Sequence, residues 1–222
     1  MSNRLRRSAL AIALALPVFA GRPAAAVEPD AARALVQAAI ADMLGSFAGK
    51  TLSRDDSKAA MQRLVDRYCD MGVESQQILG RYWTRATPEQ RQEFQHLLES
   101  FFVTVVGGMV HGVAADQRIV VQGADRDGDR VVVHTLAFVP RETASAVHWV
   151  VMDGPAGRPV ITDASADGVA LVTTLQADFT SVVRAAAGRL DSLFEPLRRK
   201  VAGLAAVAAH PDQTAAVSLR DK

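Results

Sequence analysis

Cysteine is almost absent from this chain of 222 residues: Cys69 is the only one. No internal disulfide can form, even in a compartment that favours them, and a buried inert thiol is the expected state. Short signatures of catalysis are missing too. There is no GxSxG, no P-loop and no GxGxxG, so the commonest hydrolase, nucleotide and dinucleotide sites are excluded. The histidines are His96, His111, His134, His148 and His210, and none makes a HExxH pair or a Cys/His zinc spacing. His134 and His148 can be neighbours across two strands, with no third ligand evident. The run from Asp163 to Gly168 begins like a calcium loop, but its twelfth position is Thr174, where a bidentate carboxylate is required. Asp125, Asp127 and Asp129 around Gly128 read as a solvated hairpin tip. No metal, no cofactor and no enzymatic activity are expected.

Charge of one sign is also lacking, with 25 basic residues against 24 acidic ones. Arg4, Arg6, Arg7 and Arg22 lie in the first 26 residues, which leaves 21 basic against 24 acidic beyond them, a net of −3. Nucleic acid as a partner is excluded on that balance, since polyanion binders carry a basic footprint. No apolar run reaches the ~20 residues a membrane-spanning helix needs. The longest, Ala9 to Phe19, follows a basic start and precedes Ala24 and Ala26, the pattern of a secretory signal peptide cleaved after Ala26. Arg6-Arg7 matches a twin-arginine signal only loosely, so ordinary Sec export is expected. A soluble, exported, monomeric protein beginning at Val27 follows, with one domain over 27–204 and a disordered polar tail over 205–222.

What the sequence does have is a change of period. Asp30 to Phe47 and Asp55 to Tyr68 carry apolar residues at helical spacing, with Ser53 as a cap for the second. Thr87 then caps a helix starting at Pro88, and Gln90 completes a capping box. That helix buries Phe94, Leu97, Leu98, Phe101, Phe102 and Val105, and Gly107-Gly108 loosens or ends it. Tyr82 and Trp83 lie just ahead of it. From Gln117 the period becomes two, giving four strands over 118–121, 130–139, 146–152 and 160–166. Pairing Val139 with Ser145 puts Val131, Val133, Val147, Trp149 and Val151 on one face, and His134, Leu136, Phe138, His148 and Val150 on the other. Both faces are apolar enough that something must cover them. Two helices follow, over 168–187 and 189–204, the second kinked or split at Pro196. The fold class is α+β: an antiparallel four-stranded sheet flanked by helices that enclose an apolar cavity.

Three segments carry a resemblance. LGRYW at 79–83, TPEQRQEF at 87–94 and DGVALVTTLQADF at 167–179 resemble the MlaC family of periplasmic phospholipid carriers, also called toluene-tolerance or ABC-transporter auxiliary proteins. The similarity runs from about Leu35 to Val201. The family segment D-V-x-V-E-G-V-S-L-V stands here as Asp163 to Val172, with Ala170 in place of the serine, and GRLDSLFEPL at 188–197 resembles G-I-D-G-L-I-x-x-L. Pro159 stands where the family has a tryptophan, and VTVVGGMVHG replaces a segment that often holds a tyrosine.

The resemblance implies a non-enzymatic carrier shuttling phospholipid through the periplasm. Its implied partners are an inner-membrane ABC transporter complex with its substrate-binding subunit, and an outer-membrane lipoprotein complex. The hopanoid-associated HpnM proteins, with hopanoid as cargo, are the alternative within the same fold. A secreted hydrolase without a recognisable motif, or an adaptor binding through Leu136 and Phe138, are the alternatives outside it. The expected lipid-lining residues combine the helix face with the odd sheet face: Phe101, Phe102, Val105, Val133, Trp149, Val151, Leu175 and Phe179. The capped helix is expected to form one wall, with Tyr82 and Trp83 wedged at its entrance end.

Overall fold

The computed structural model describes residues 27–109 and 113–207. The expected leader, its cleavage point and most of the tail lie outside them, as do His111 and His210. Among the described residues the α+β expectation holds, with six α-helices and one antiparallel sheet of five strands in the order β1-β2-β3-β4-β5.

Helix α1 (Pro29–Phe47) and helix α2 (Arg54–Tyr68) come first, and the Ser53 Oγ caps α2 by accepting from the Asp56 N–H at 3.1 Å. Helix α3 (Met71–Leu79) is an element the sequence reading missed; at nine residues it is too short to show a period, though Asp70 Oδ1 caps it from the Val73 N–H at 2.9 Å. A 3-10 turn (Gly80–Arg85) leads to α4 (Pro88–Met109), where the capping box forms in both directions. The Thr87 N–H donates to Gln90 Oε1 at 3.1 Å, and the Gln90 N–H donates to Thr87 Oγ1 at 3.2 Å. The helix runs through Gly107 and Gly108 rather than stopping at them.

Strand β1 (Arg118–Asp127) is longer than expected because it continues past a β-bulge between Val121 and Gly123. Strands β2 (Arg130–Phe138) and β3 (Ser145–Asp153) pair with Ala137 opposite Ser145, two residues from the expected register. The shift is even, so each side chain stays on its expected face. Strand β4 (Pro159–Ala166) leads through Asp167 and Gly168, at φ 50° and 83°, into a two-residue strand β5 (Val169–Ala170). The run that begins like a calcium loop is therefore a tight hairpin with two left-handed central residues, the conformation Asp-Gly favours. This hairpin supplies the fifth strand. Helix α5 (Leu171–Ala185) and helix α6 (Asp191–Val207) close the fold, and Pro196 sits inside α6 without dividing it.

The layers explain what covers the sheet. Helix α1 lies against the odd face, where Val131, Val133, Val151 and Ile161 pack on Ala32, Val36, Ala39 and Ile40. A second apolar cluster belongs to helices alone: α3, the 3-10 turn, α4, α5 and α6 bring together Ile78, Leu98, Phe101, Phe179, Leu193 and their neighbours. Helix α2 bridges the two, with Met61 and Val65 against Phe47 and Val103. The even face of the sheet is half-buried, and Val120 on it is 41% exposed.

Candidate functional site

The helical layer meets the sheet along β4, and a cleft of about 550 Å³ opens beside that seam. Val150 and Met152 of β3, Thr162 and Asp163 of β4, Gln77 of α3, and Val172, Thr173 and Gln176 of α5 line it, with Asp127 to Arg130 at one end. Its lining mixes the apolar Val150, Met152 and Val172 with polar Gln77, Asp163 and Gln176. Gln77 latches the seam. Its side-chain amide donates to Met152 Sδ at 2.9 Å, while its main-chain carbonyl accepts from Gln176 Nε2 at 2.9 Å.

Asp163 sets the angle at which α5 leaves the sheet. Ala170, at the helix N-cap, has no side chain to cap with. Asp163 Oδ1 substitutes from seven residues upstream, accepting the Val172 N–H at 3.0 Å and the Ala164 N–H at 2.8 Å. Burial raises its carboxyl above the usual range, and those backbone N–H groups oppose the rise.

Behind the cleft wall, one turn along α3 from Gln77, lies Glu74, only 2% exposed. Loss of hydration pushes its carboxyl up to about 8; a hydrogen bond with Cys69 works against the rise, and Asp163 and Asp70 add to it. Glu74 Oε2 and the neighbouring Ser75 Oγ have no protein partner. Cys69 is half-buried rather than fully buried as expected; loss of hydration, then Glu74, push its thiol well above its ordinary range.

The expected lining residues fall into two groups. Phe101, Leu175 and Phe179 belong to the helical cluster, with Phe102 and Val105 packed against it. Phe179 meets Phe94 and Phe101 edge-on, at ring separations of 6.0 Å and 6.4 Å. Val133, Val151 and the partly buried Trp149 belong to the sheet cluster under α1. The Trp149 indole donates to Thr135 Oγ1 at 3.1 Å. Five of the eight, Phe101, Val133, Val151, Leu175 and Phe179, are at most 4% exposed, whereas Phe102, Val105 and Trp149 keep some surface. Tyr82 is buried in the helical cluster, and Trp83 lies at its edge under the Arg91 guanidinium, 5.2 Å from the ring centre. The seam residues Gln77, Val150, Met152 and Gln176 were not singled out from sequence. Val150 lies on the even face as expected, and the unexpected helix α3 brings Gln77 to the same cleft.

No helix among the described residues is long and apolar enough to cross a membrane. No group of three or more His, Cys, Asp or Glu side chains among them is placed to hold a metal ion.

Comparison with known proteins places these features in a family. The model for the MlaC protein family matches residues 33–199. A phospholipid-binding protein from Ralstonia solanacearum, solved in complex with a phospholipid, shares 26% sequence identity at a TM-score of 0.66, over 78% of this chain and 98% of that one. No curated protein matches the sequence.

Proposed function

Since the chain belongs to the MlaC family, we propose that it is a phospholipid carrier, exported to the periplasm, that moves lipid between membranes as the soluble component of an ABC-transporter system. The observation that carries this reading is the similarity, over 78% of this chain and 98% of the other, to a protein solved with phospholipid bound. The absence of catalytic motifs from the sequence accords with binding rather than catalysis.

A carrier faces a definite energetic demand. Each buried CH₂ is worth ~0.8 kcal/mol, so two acyl chains of roughly sixteen carbons lose on the order of 25 kcal/mol on leaving a bilayer unless the protein shields them as well. An open groove would leave much of that uncompensated. The guest chains enter through the seam between the helical layer and the sheet, past the Gln77 latch, and α5 swings outward to admit them. That movement uncovers Leu175 and Phe179 and then Phe101 behind them, with Phe102 and Val105 beside them. On the sheet side the lining is the partly buried Trp149, with Val133 and Val151 beside it under α1. Tyr82 and Trp83 hold the start of α4 in place while α5 moves. The docking partners are an inner-membrane transporter with its substrate-binding subunit and an outer-membrane lipoprotein complex.

The test is native mass spectrometry of protein recovered from its own periplasm, followed by melting before and after delipidation. A bound diacyl lipid is expected. A ligand present at one hundred times its Kd stabilises by about 2.7 kcal/mol, which for a domain of this size is a shift on the order of 5 to 10 °C. Phospholipid should restore the melting temperature of the emptied protein. Restoration by hopanoid alone would transfer the reading to the hopanoid-associated group, and a native protein that is empty and indifferent to both lipids would refute it.

A further inference from the structure

The open face of the sheet carries a polar chain that lipid carriage does not use. His134 and His148 are a cross-strand pair in the β2–β3 register, and their Nδ1 atoms stand 2.7 Å apart, with the rings edge to face at 80°. On the far side of the first ring, His134 Nε2 donates to Asp125 Oδ2 at 3.0 Å. Asp125 is odd-numbered, and strict alternation along β1 would put it on the face covered by α1. The bulge between Val121 and Gly123 turns it over, so that it stands opposite Val132 and diagonal to His134.

We propose that His134 and His148 form a two-histidine chelate for a divalent transition metal of tetragonal preference, Cu(II) or Ni(II), with Asp125 as the residue that orients the first imidazole. A contact of 2.7 Å between two Nδ1 atoms holds a single proton. Because His134 Nε2–H is committed to Asp125, His134 presents a lone pair at Nδ1, and His148 Nδ1–H donates into it. A metal replaces that proton once His148 shifts its own to Nε2 and the two rings tilt. Metal–imidazole bonds of about 2.0–2.1 Å spanning the observed 2.7 Å subtend about 80–85° at the metal. That is close to the right angle of two adjacent positions in a square-planar or tetragonal site, and far from a tetrahedral angle. Ligating imidazoles characteristically donate their other N–H to a carboxylate, which fixes tautomer and ring orientation; the Asp125–His134 bond has that form before any metal arrives. With two protein ligands, water fills the remaining positions on the solvent side, where the His134 side chain is 33% exposed. Val132 and Val150, a half-buried cross-strand pair on the same face, flank the two histidines.

Untagged protein from residue 27 to 222 is titrated with Cu(II), then Ni(II), by calorimetry, and the Cu(II) adduct is examined by electron paramagnetic resonance. One equivalent of Cu(II) with an axial spectrum split by two nitrogens is expected. His134→Gln and His148→Gln should each weaken binding at least ten-fold, and Asp125→Asn by ~10–100-fold. Binding should weaken as the medium is acidified, because an imidazole must be neutral to ligate. Each variant is melted without metal, so that loss of fold is separated from loss of ligand. No binding by the native chain, a spectrum without two nitrogens, or an unchanged affinity in the folded double variant His134→Gln/His148→Gln would overturn the site. Unchanged affinity in Asp125→Asn would overturn the orienting role.

Discussion

Glu74 tests the physical reading of the fold at a single atom. Its carboxyl is 2% exposed, and burial shifts it from an ordinary 4.5 to about 8. At neutral pH the folded chain therefore keeps this proton, while the unfolded chain releases it. Because the folded value lies above the unfolded one, the group costs nothing below pH 4.5. It removes stability progressively as pH rises from 4.5 to about 8, and above that window the loss is constant. At 1.36 kcal/mol per pH unit, the loss between pH 4.5 and 7 is on the order of 3 kcal/mol. Glu74→Gln keeps the shape and removes the ionisation. Its amide still leaves N–H groups without partners beside Ser75, at a cost of roughly 1–3 kcal/mol, so the informative quantity is the slope with pH and not the offset. Urea unfolding of both proteins from pH 4.5 to 9 should show the stability difference, variant minus native, rising by about 3 kcal/mol up to pH 7 and levelling above about pH 8. The raised Asp163 carboxyl is present in both proteins, and its charge is one of the smaller causes of the Glu74 shift. A difference constant to within 1 kcal/mol across the window, with unchanged m-values, would show that Glu74 is hydrated in the folded state and that the packing around α3 is misread.

Ala170→Ser adds a local cap to α5 beside the one that Asp163 provides, and should stabilise by up to ~1 kcal/mol in thermal unfolding, a gain that an unchanged melting temperature would deny. Trp149→Glu, which puts a charge beside the proposed guest, should lose lipid in native mass spectrometry while the exposed Arg85→Glu retains it; both must be folded by circular dichroism, and a folded Trp149→Glu with normal lipid would remove that residue from the site. Hydrogen exchange should find the amides of α3 opening more readily than those of α1 around Val36 to Ile40, with added phospholipid protecting α3 more than α1. Equal protection gains in both helices would contradict opening at the seam.

The helices and the faces of β2 and β3 were legible because period and capping chemistry are local. Thr87 and Gln90 announce α4, and an even register shift leaves Val131, Val133 and Val151 pointing the same way whichever residue closes the turn. Three things were not legible. Helix α3 is too short to express a period, and β5 is a two-residue strand whose Asp167-Gly168 signal lay inside a run weighed as a calcium loop. The separation of the two apolar clusters depends on which helix faces which side of the sheet. Leu175 and Val133 have the same composition signal whether they meet each other or not, so the sequence cannot distinguish one cluster from two. Gly123 inside a strand is the cue that would have exposed the bulge and placed Asp125 beside His134.

The location of the unpartnered polar groups gives a physical reason to expect movement on one side of the molecule and not the other. On the α1 side, Val131, Val133 and Val151 are fully buried against an apolar helix. On the other side, α3 carries Glu74 and Ser75, two adjacent side chains with buried oxygens that no protein group satisfies, and it meets β4 and α5 along the seam; the third such oxygen among the described residues, Ser57 Oγ, lies on α2. The side-chain bonds there are polar: Gln77 to Met152 joins α3 to the sheet, and Gln176 to the Gln77 carbonyl joins α5 to α3. Such bonds exchange with water at a net cost of only about 1 kcal/mol each, and on either side each apolar side chain uncovered costs ~1.5–3 kcal/mol, Leu175 and Phe179 on α5 as much as the valines under α1. What favours the seam side is the relief of the Glu74 and Ser75 desolvation on opening, which offsets part of the cost of uncovering Leu175 and Phe179 on α5. A lipid chain arriving at the cleft meets the side of the fold that separates first.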